Sequence, residues 1–144
     1  GYGMLAGKLR QDGRVIVMER TNAMHVELPE PVDVVTIDVA WTRQRHILPN
    51  ALKQAKPDGG VLSLFKPQYE APRHLVRRGR VAQEDLEAVL HGAVGQLAEM
   101  GVVVREAVRL PRWRKRKNLE VMLYIRRRDC CLTDASQVAV GEGE

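Results

Sequence analysis

Apolar and polar residues along the chain fall into short strand-like runs separated by stretches of helical periodicity. Val32-Asp33-Val34-Val35-Thr36-Ile37-Asp38, opened by Pro31, is β-branched and nearly continuous in apolar character, which predicts a strand buried on both faces. Ile47, Leu48, Ala51, Leu52 and Ala55 recur at helical spacing over Ile47–Lys56, and Pro57-Asp58-Gly59-Gly60 is expected to stop that helix. Val61–Lys66 reads as the next strand, and Pro67–Arg80, rich in Pro, Gly and Arg, as a loop. The strongest helical signal runs from Ala82 to Met100, where Leu86, Val89, Leu90, Val94 and Leu97 form one apolar stripe that Gly101 terminates. Val102–Val108 and Leu119–Ile125 predict two more strands, joined by Arg109–Asn118. Near the start, Met4–Arg10 reads as a short helix closed by Asp12-Gly13, and Arg14–Glu19 as a brief strand.

Alternating strands and helices predict an α/β fold with a mostly parallel sheet. The last two strands follow each other through a short connection, so one of them should run antiparallel to its neighbour near the C-terminus. Residues 1–128 make one domain on this reading. Residues 129–144 are polar, small and acidic, and are expected to form a disordered tail.

Composition narrows the picture modestly. With 144 residues, 44% hydrophobic but only 4% aromatic, the core must be built mainly from Val, Leu, Ile, Ala and Met. No apolar run approaches the ~18–20 residues of a membrane-spanning helix. No charged stretch followed by a hydrophobic one marks the start as a signal peptide. Cys130 and Cys131 are adjacent, and His25, His46, His74 and His91 are scattered singly, so no metal site and a reducing, cytoplasmic setting are expected. The net charge of +5 favours an anionic partner only weakly, and its distribution says more.

Sites in open α/β sheets form at the carboxyl ends of the parallel strands. Asp38 closes one strand, Lys66 closes the next, and Glu120 stands near the start of the reversed strand, which lies at the same edge. Strands also end in polar residues simply because they meet solvent there, and spacing alone does not separate the two readings. Five of the eight residues from Leu110 to Lys117 are basic, namely Arg112, Arg114, Lys115, Arg116 and Lys117, with Trp113 among them. A second basic stretch, Arg73–Arg80, contains Arg77, Arg78 and Arg80. Charge runs are commonly solvated surface, but a basic loop with an embedded Trp at a site-bearing edge suits phosphate contact and base stacking.

Several segments, in order and at matching spacing, resemble the TlyA (hemolysin A) group of the FtsJ-like RNA methyltransferases. They are Gly1-Tyr2-Gly3 with Lys8-Leu9-Arg10, Glu19-Arg20-Thr21-Asn22-Ala23, Ile37-Asp38-Val39, Ile47-Leu48-Pro49, Lys66-Pro67-Gln68-Tyr69-Glu70 and Asn118-Leu119-Glu120. The resemblance covers the chain apart from its tail. It implies a class-I methyltransferase (Rossmann-like) sheet in truncated form, S-adenosylmethionine as cofactor, and ribosomal RNA or a ribosomal subunit as partner. It also implies that Asp38, Lys66 and Glu120 are the last three members of a Lys-Asp-Lys-Glu catalytic set acting on a ribose 2′-hydroxyl. Lys66 would orient that hydroxyl and steady the developing alkoxide, or accept its proton if its pKa is depressed, with burial and the two carboxylates pushing in opposite directions.

The chain departs from the family pattern at the donor side. Relatives carry the first lysine and a Gly-rich loop upstream of the position of Gly1, and nothing here resembles Asp-x-Gly-x-x-x-Gly-Gly. Asn22 alone matches a position beside the donor's adenine, so the chain by itself is expected to bind S-adenosylmethionine poorly and to be inactive. Val39-Ala40-Trp41-Thr42-Arg43-Gln44 replaces the usual Val-Ser-Phe-Ile-Ser-Leu, and basic residues replace glycines before Asn118, which alters target positioning. The alternative reading is a non-catalytic RNA-binding module derived from a methyltransferase. A further one is a piece whose function belongs to a longer protein. The family order places Val32–Asp38 beside Val61–Lys66, then Leu119–Ile125, then Val102–Val108. It leaves Val32–Asp38 an open edge, so either Arg14–Glu19 shifts to pair there or two chains join as a homodimer.

Overall fold

A computed structural model describes residues 1–111, 118–127 and the backbone of 140–142. The first regular element is α1 (Gly7–Arg10), a single turn with no buried residue. The stretch Arg14–Glu19, expected as a strand, pairs with no strand. Alternate residues Ile16 and Met18 lie exposed, and the segment is tied back to its own neighbours through an Arg10–Glu19 ion pair of 2.9 Å. Its backbone makes turn contacts in place of a ladder: the Arg14 and Val15 N–H groups donate to Asp12, and the Glu19 carbonyl accepts the Thr21 hydroxyl.

The sheet begins with β1 (Val32–Ile37), followed by α2 (Gln44–Gln54) and β2 (Ala55–Phe65). Contrary to expectation, α2 already ends at Gln54, and Pro57-Asp58-Gly59-Gly60 lies within β2 instead of stopping the helix. The irregularity is absorbed as a bulge, because Val32 pairs with Ala55 while Val34 pairs with Gly60. The region expected to be a loop holds α3 (Pro67–Glu70), a 3-10 turn at Arg73–Leu75, and a two-stranded ribbon of β3 (Val76–Arg77) and β4 (Arg80–Val81). Arg78 and Gly79 both have positive φ, the backbone that a two-residue hairpin turn requires. The long helix α4 spans Leu86–Glu99, later in its start than expected, and Gly101 at φ +76° follows its end. Then come β5 (Val102–Arg109), β6 (Val121–Arg127) and β7 (Val140–Glu142). Of the expected tail, only Val140–Glu142 is a described strand; residues 129–139 and 143–144 lie outside the described residues.

Strand order in the sheet is β1-β2-β6-β5-β7, so the four strands from Val32 to Ile125 take the expected order. The expectation of a mostly parallel sheet needs correction. β1–β2 and β5–β7 are parallel, but the reversed strand β6 sits inside the sheet and makes antiparallel pairs with both β2 and β5.

Helix α2 packs on β1 and β2, α4 packs on β5, and the two helices meet each other. Both lie over the side chains that alternate inward. Val61, Phe65, Val121, Leu123 and Ile125 are fully buried there, with Leu48, Leu86, Leu90 and Leu97 from the helices. Residues on the opposite face are more open, with Val34 57% and Leu62 37% exposed. That finding overturns the expectation that the Val32–Ile37 run is buried on both faces: β1 is an edge strand with a helix on one side only. Arg14–Glu19 does not cover that edge.

Two glycines test this packing in opposite directions. A Cβ on Gly59 would stand 2.8 Å from the Asp33 carbonyl oxygen and 3.1 Å from Lys56 backbone atoms, whereas one on Gly92, inside α4, meets nothing within 4 Å. Gly59→Ala should therefore lower the urea-unfolding free energy by about 1–3 kcal/mol. Gly92→Ala should raise it by roughly 0.5–1 kcal/mol through helix propensity. Equal effects of the two substitutions would contradict this register of β1 against the bulge of β2.

Candidate active site

Asp38 follows β1 directly and Lys66 follows β2 directly, so the parallel pairing carries both to one sheet edge. Lys66 Nζ donates to Asp38 Oδ1 at 2.6 Å. The lysine side chain is only 16% exposed while the carboxylate is 71% exposed, which leaves the pair facing solvent from the acidic side. On the other flank of β2, Phe65 pairs with Val121. One step further along that antiparallel register Lys66 and Glu120 stand opposite, and by strand alternation on the same, less covered face. The Glu120 carbonyl accepts the Leu110 N–H at 3.0 Å, and its carboxylate makes no hydrogen bond or ion pair among the described residues. The three residues singled out in the sequence thus share one edge, with Lys66 between the two acids.

The basic elements border the same edge. Arg77, Arg78 and Arg80 project from the β3–β4 ribbon and are exposed. The Asn118 side-chain amide donates to the Gly79 carbonyl at 3.2 Å, which holds the ribbon's tip beside the entry to β6. Arg112, Trp113, Arg114, Lys115, Arg116 and Lys117 lie outside the described residues. Of the described residues on either side of them, Leu110 donates its N–H to the Glu120 carbonyl. Asn22 makes its hydrogen bonds within its own turn: its side-chain oxygen accepts the Met24 N–H at 3.0 Å and its carbonyl accepts the His25 N–H. Asn50 of α2 holds that turn through the carbonyls of Ala23 and Val26, each at 2.9 Å.

Sequence reasoning missed a polar lattice beneath the Lys66–Asp38 pair. Gln44 opens α2, a helix with no side-chain cap of its own and no acid in its first turn. Glu70, four residues beyond Lys66, supplies the missing acceptor: its Oε1 takes the Gln44 N–H at 2.6 Å. The Gln44 side chain, 2% exposed, donates to the Leu64 carbonyl at 3.2 Å and accepts from the Ser63 hydroxyl at 2.6 Å. Arg43 Nε donates to the Tyr69 carbonyl at 3.2 Å. Burial pushes the Glu70 carboxyl above its ordinary pKa, opposed by the Gln44 N–H and by the charges of Arg43 and Arg45. Its signal in the sequence was the Glu that ends Lys66-Pro67-Gln68-Tyr69-Glu70, and a lone Ser within an apolar strand. Above the lattice, Trp41 is 86% exposed, has φ +67°, and its ring centroid lies 5.5 Å from that of Tyr69.

This geometry joins a decisive likeness: the FtsJ-like methyltransferase sequence pattern matches residues 1–104. The chain belongs to the FtsJ-like methyltransferase family. YqxC of Bacillus subtilis (strain 168), a "Putative rRNA methyltransferase", is 35% identical over 134 residues, covering 87% of this chain and 47% of YqxC. The 16S/23S rRNA (cytidine-2'-O)-methyltransferase TlyA of Mycobacterium tuberculosis (strain ATCC 25618 / H37Rv) is 39% identical over 88 residues, 58% of this chain and 32% of TlyA. A solved structure from Streptococcus thermophilus, a "Putative hemolysin", superposes with a TM-score of 0.80 at 26% identity over 100% of this chain and 50% of its own. These relatives support the TlyA branch of the family. The chain spans about half the length of YqxC and about a third of TlyA. Among the described residues no helix is long and apolar enough to cross a membrane.

Proposed function

We propose that this chain supplies the ribose-binding and RNA-binding side of a ribosomal RNA 2′-O-methyltransferase of the TlyA type, working in the cytoplasm on ribosomal RNA or a ribosomal subunit. The observation that carries the reading is the 2.6 Å Lys66–Asp38 pair at the carboxyl edge of parallel strands, with Glu120 across the next ladder. Lys66 Nζ has hydrogens to spare for a ribose oxygen, and Asp38 fixes where that amine points. Such a donor orients the weakly nucleophilic 2′-hydroxyl and steadies the negative charge that grows on its oxygen. Glu120, with its carboxylate free of other partners among the described residues, would hold Lys66 from the opposite side or take a proton.

The names of TlyA and YqxC support ribosomal RNA as the substrate. The exposed arginines of the β3–β4 ribbon suit the phosphate backbone, and the exposed Trp41 offers a ring face for a base, a contact worth about 1–3 kcal/mol in single-strand binding.

S-adenosylmethionine is the family's methyl donor, but the residues described here do not fit it. Asn22, the one matched donor contact, is exposed and has its side-chain oxygen engaged with Met24. That engagement of Asn22 favours a second reading, a non-catalytic RNA-binding module derived from a methyltransferase. The open edge of β1 also leaves room for a homodimer joined strand to strand.

Two measurements check these readings. Titrated calorimetrically with S-adenosylmethionine, the 144-residue chain should show no binding in the low-micromolar range, and heat from a one-to-one complex there would refute the misfit. Binding to single-stranded RNA should weaken in the Arg77→Gln/Arg78→Gln/Arg80→Gln variant, and the slope of log affinity against log salt should fall by about 2. Neutralising Arg112, Arg114, Lys115, Arg116 and Lys117 should lower it by roughly 3.5. Unchanged affinity and slope in both variants would reduce the basic edge to solvated surface.

A further inference from the structure

Trp41 poses a problem that the catalytic reading leaves unsolved. A tryptophan with φ +67° is in a backbone region that bulky L-residues avoid because it strains them. It is also 86% exposed, so no burial of the indole offsets that strain. Such a conformation persists only where the surroundings over-determine it. Its turn, 39–43, runs from Asp38 to the first residue of α2, and both ends are fixed by residues around Lys66. At one end Lys66 binds Asp38 at 2.6 Å. At the other Glu70 binds the Gln44 N–H at 2.6 Å and the Tyr69 carbonyl receives Arg43 Nε at 3.2 Å.

Glu70 is the acid at the helix end of this clamp. Its acceptor oxygen meets an N–H at the start of an 11-residue helix that has no acid in its first turn, where the helix dipole favours negative charge. Being the last residue of the single turn α3, it rides on the same short segment as Lys66 and Tyr69. We infer that Glu70 is a positioning residue: by capping α2 from across the site, it sets the 39–43 turn against the Lys66–Tyr69 segment and so holds the Trp41 ring over Tyr69 beside the Lys66–Asp38 pair. The ring pair then stands as a prebuilt face for a nucleobase next to the ribose site. That consequence rests on the function proposed above, whereas the clamp itself does not.

The test needs no RNA, so the two ideas fail separately. In a ¹⁵N-labelled chain the Gln44 amide, which would exchange freely at an uncapped helix start, should be protected from hydrogen exchange, and the Trp41 indole should show nuclear Overhauser contacts with the Tyr69 ring. Trp41→Phe identifies which of the two indole signals belongs to Trp41. In Glu70→Ala, Gln44 exchange should accelerate by about tenfold or more, as expected for losing a charge-assisted bond. The Trp41–Tyr69 contacts should also vanish while amides of β2 and β6 keep their protection. Glu70→Gln keeps an acceptor without the charge, so it should retain the ring contacts with a smaller rise in Gln44 exchange; this variant decides the matter if Glu70→Ala does not fold. Retained ring contacts and unchanged Gln44 exchange in a folded Glu70→Ala, or exchange in Glu70→Gln no faster than in the parent, would overturn the inference.

Discussion

The pairing of β2 with a strand on each side governs the rest of the molecule. Its parallel ladder with β1 and its antiparallel ladder with β6 fix which residues reach the carboxyl edge and which face they share. Because side chains alternate with a period of two, a one-residue slip in either ladder would turn Asp38 or Glu120 away from Lys66 and bring a core valine or leucine out to water. Register is therefore held by the same burial that makes the core: Val61 and Phe65 of β2 and Val121, Leu123 and Ile125 of β6 are all fully enclosed. The site is placed by the hydrophobic effect and only then adjusted by hydrogen bonds.

Much of this was legible in the sequence, for a definable reason. Strands rich in Val, Leu and Ile, and the α4 stripe of Leu86, Val89, Leu90 and Leu97, carry strong periodic signals because each buries a whole face. The edge positions of Asp38 and Lys66 followed from strand ends, and their meeting followed from the family likeness. What the sequence concealed were features decided by neighbours rather than by the segment itself. Arg14–Glu19 has strand-forming residues and no strand to pair with. Val32–Ile37 looked doubly buried because its residues are apolar, yet an edge strand with one helical cover leaves Val34 mostly exposed. The ribbon at Val76–Val81 was hidden in an Arg-rich stretch whose turn depends on two consecutive positive-φ residues.

The polar lattice was hidden for the opposite reason. Gln44, Ser63 and Glu70 are unremarkable singly, and their meaning comes from meeting across sequence separations of 19 and 26 residues. Buried polar groups of this kind are costly unless mutually satisfied, so they constrain a fold more tightly than an apolar contact of similar area. Here they tie the first residue of α2 to the end of β2 and to the α3 turn that follows Lys66.

A Lys66 that addresses a ribose hydroxyl must sense the difference between RNA and DNA. The lysine side-chain resonances of the ¹³C-labelled chain, with Lys66 assigned by substitution, report this during titration with matched single-stranded oligonucleotides of RNA and of DNA. The Lys66 signal should shift with RNA and move markedly less with DNA, which lacks the 2′-hydroxyl. Equal shifts with both, or a Lys66 signal indifferent to RNA that demonstrably binds elsewhere on the chain, would contradict it.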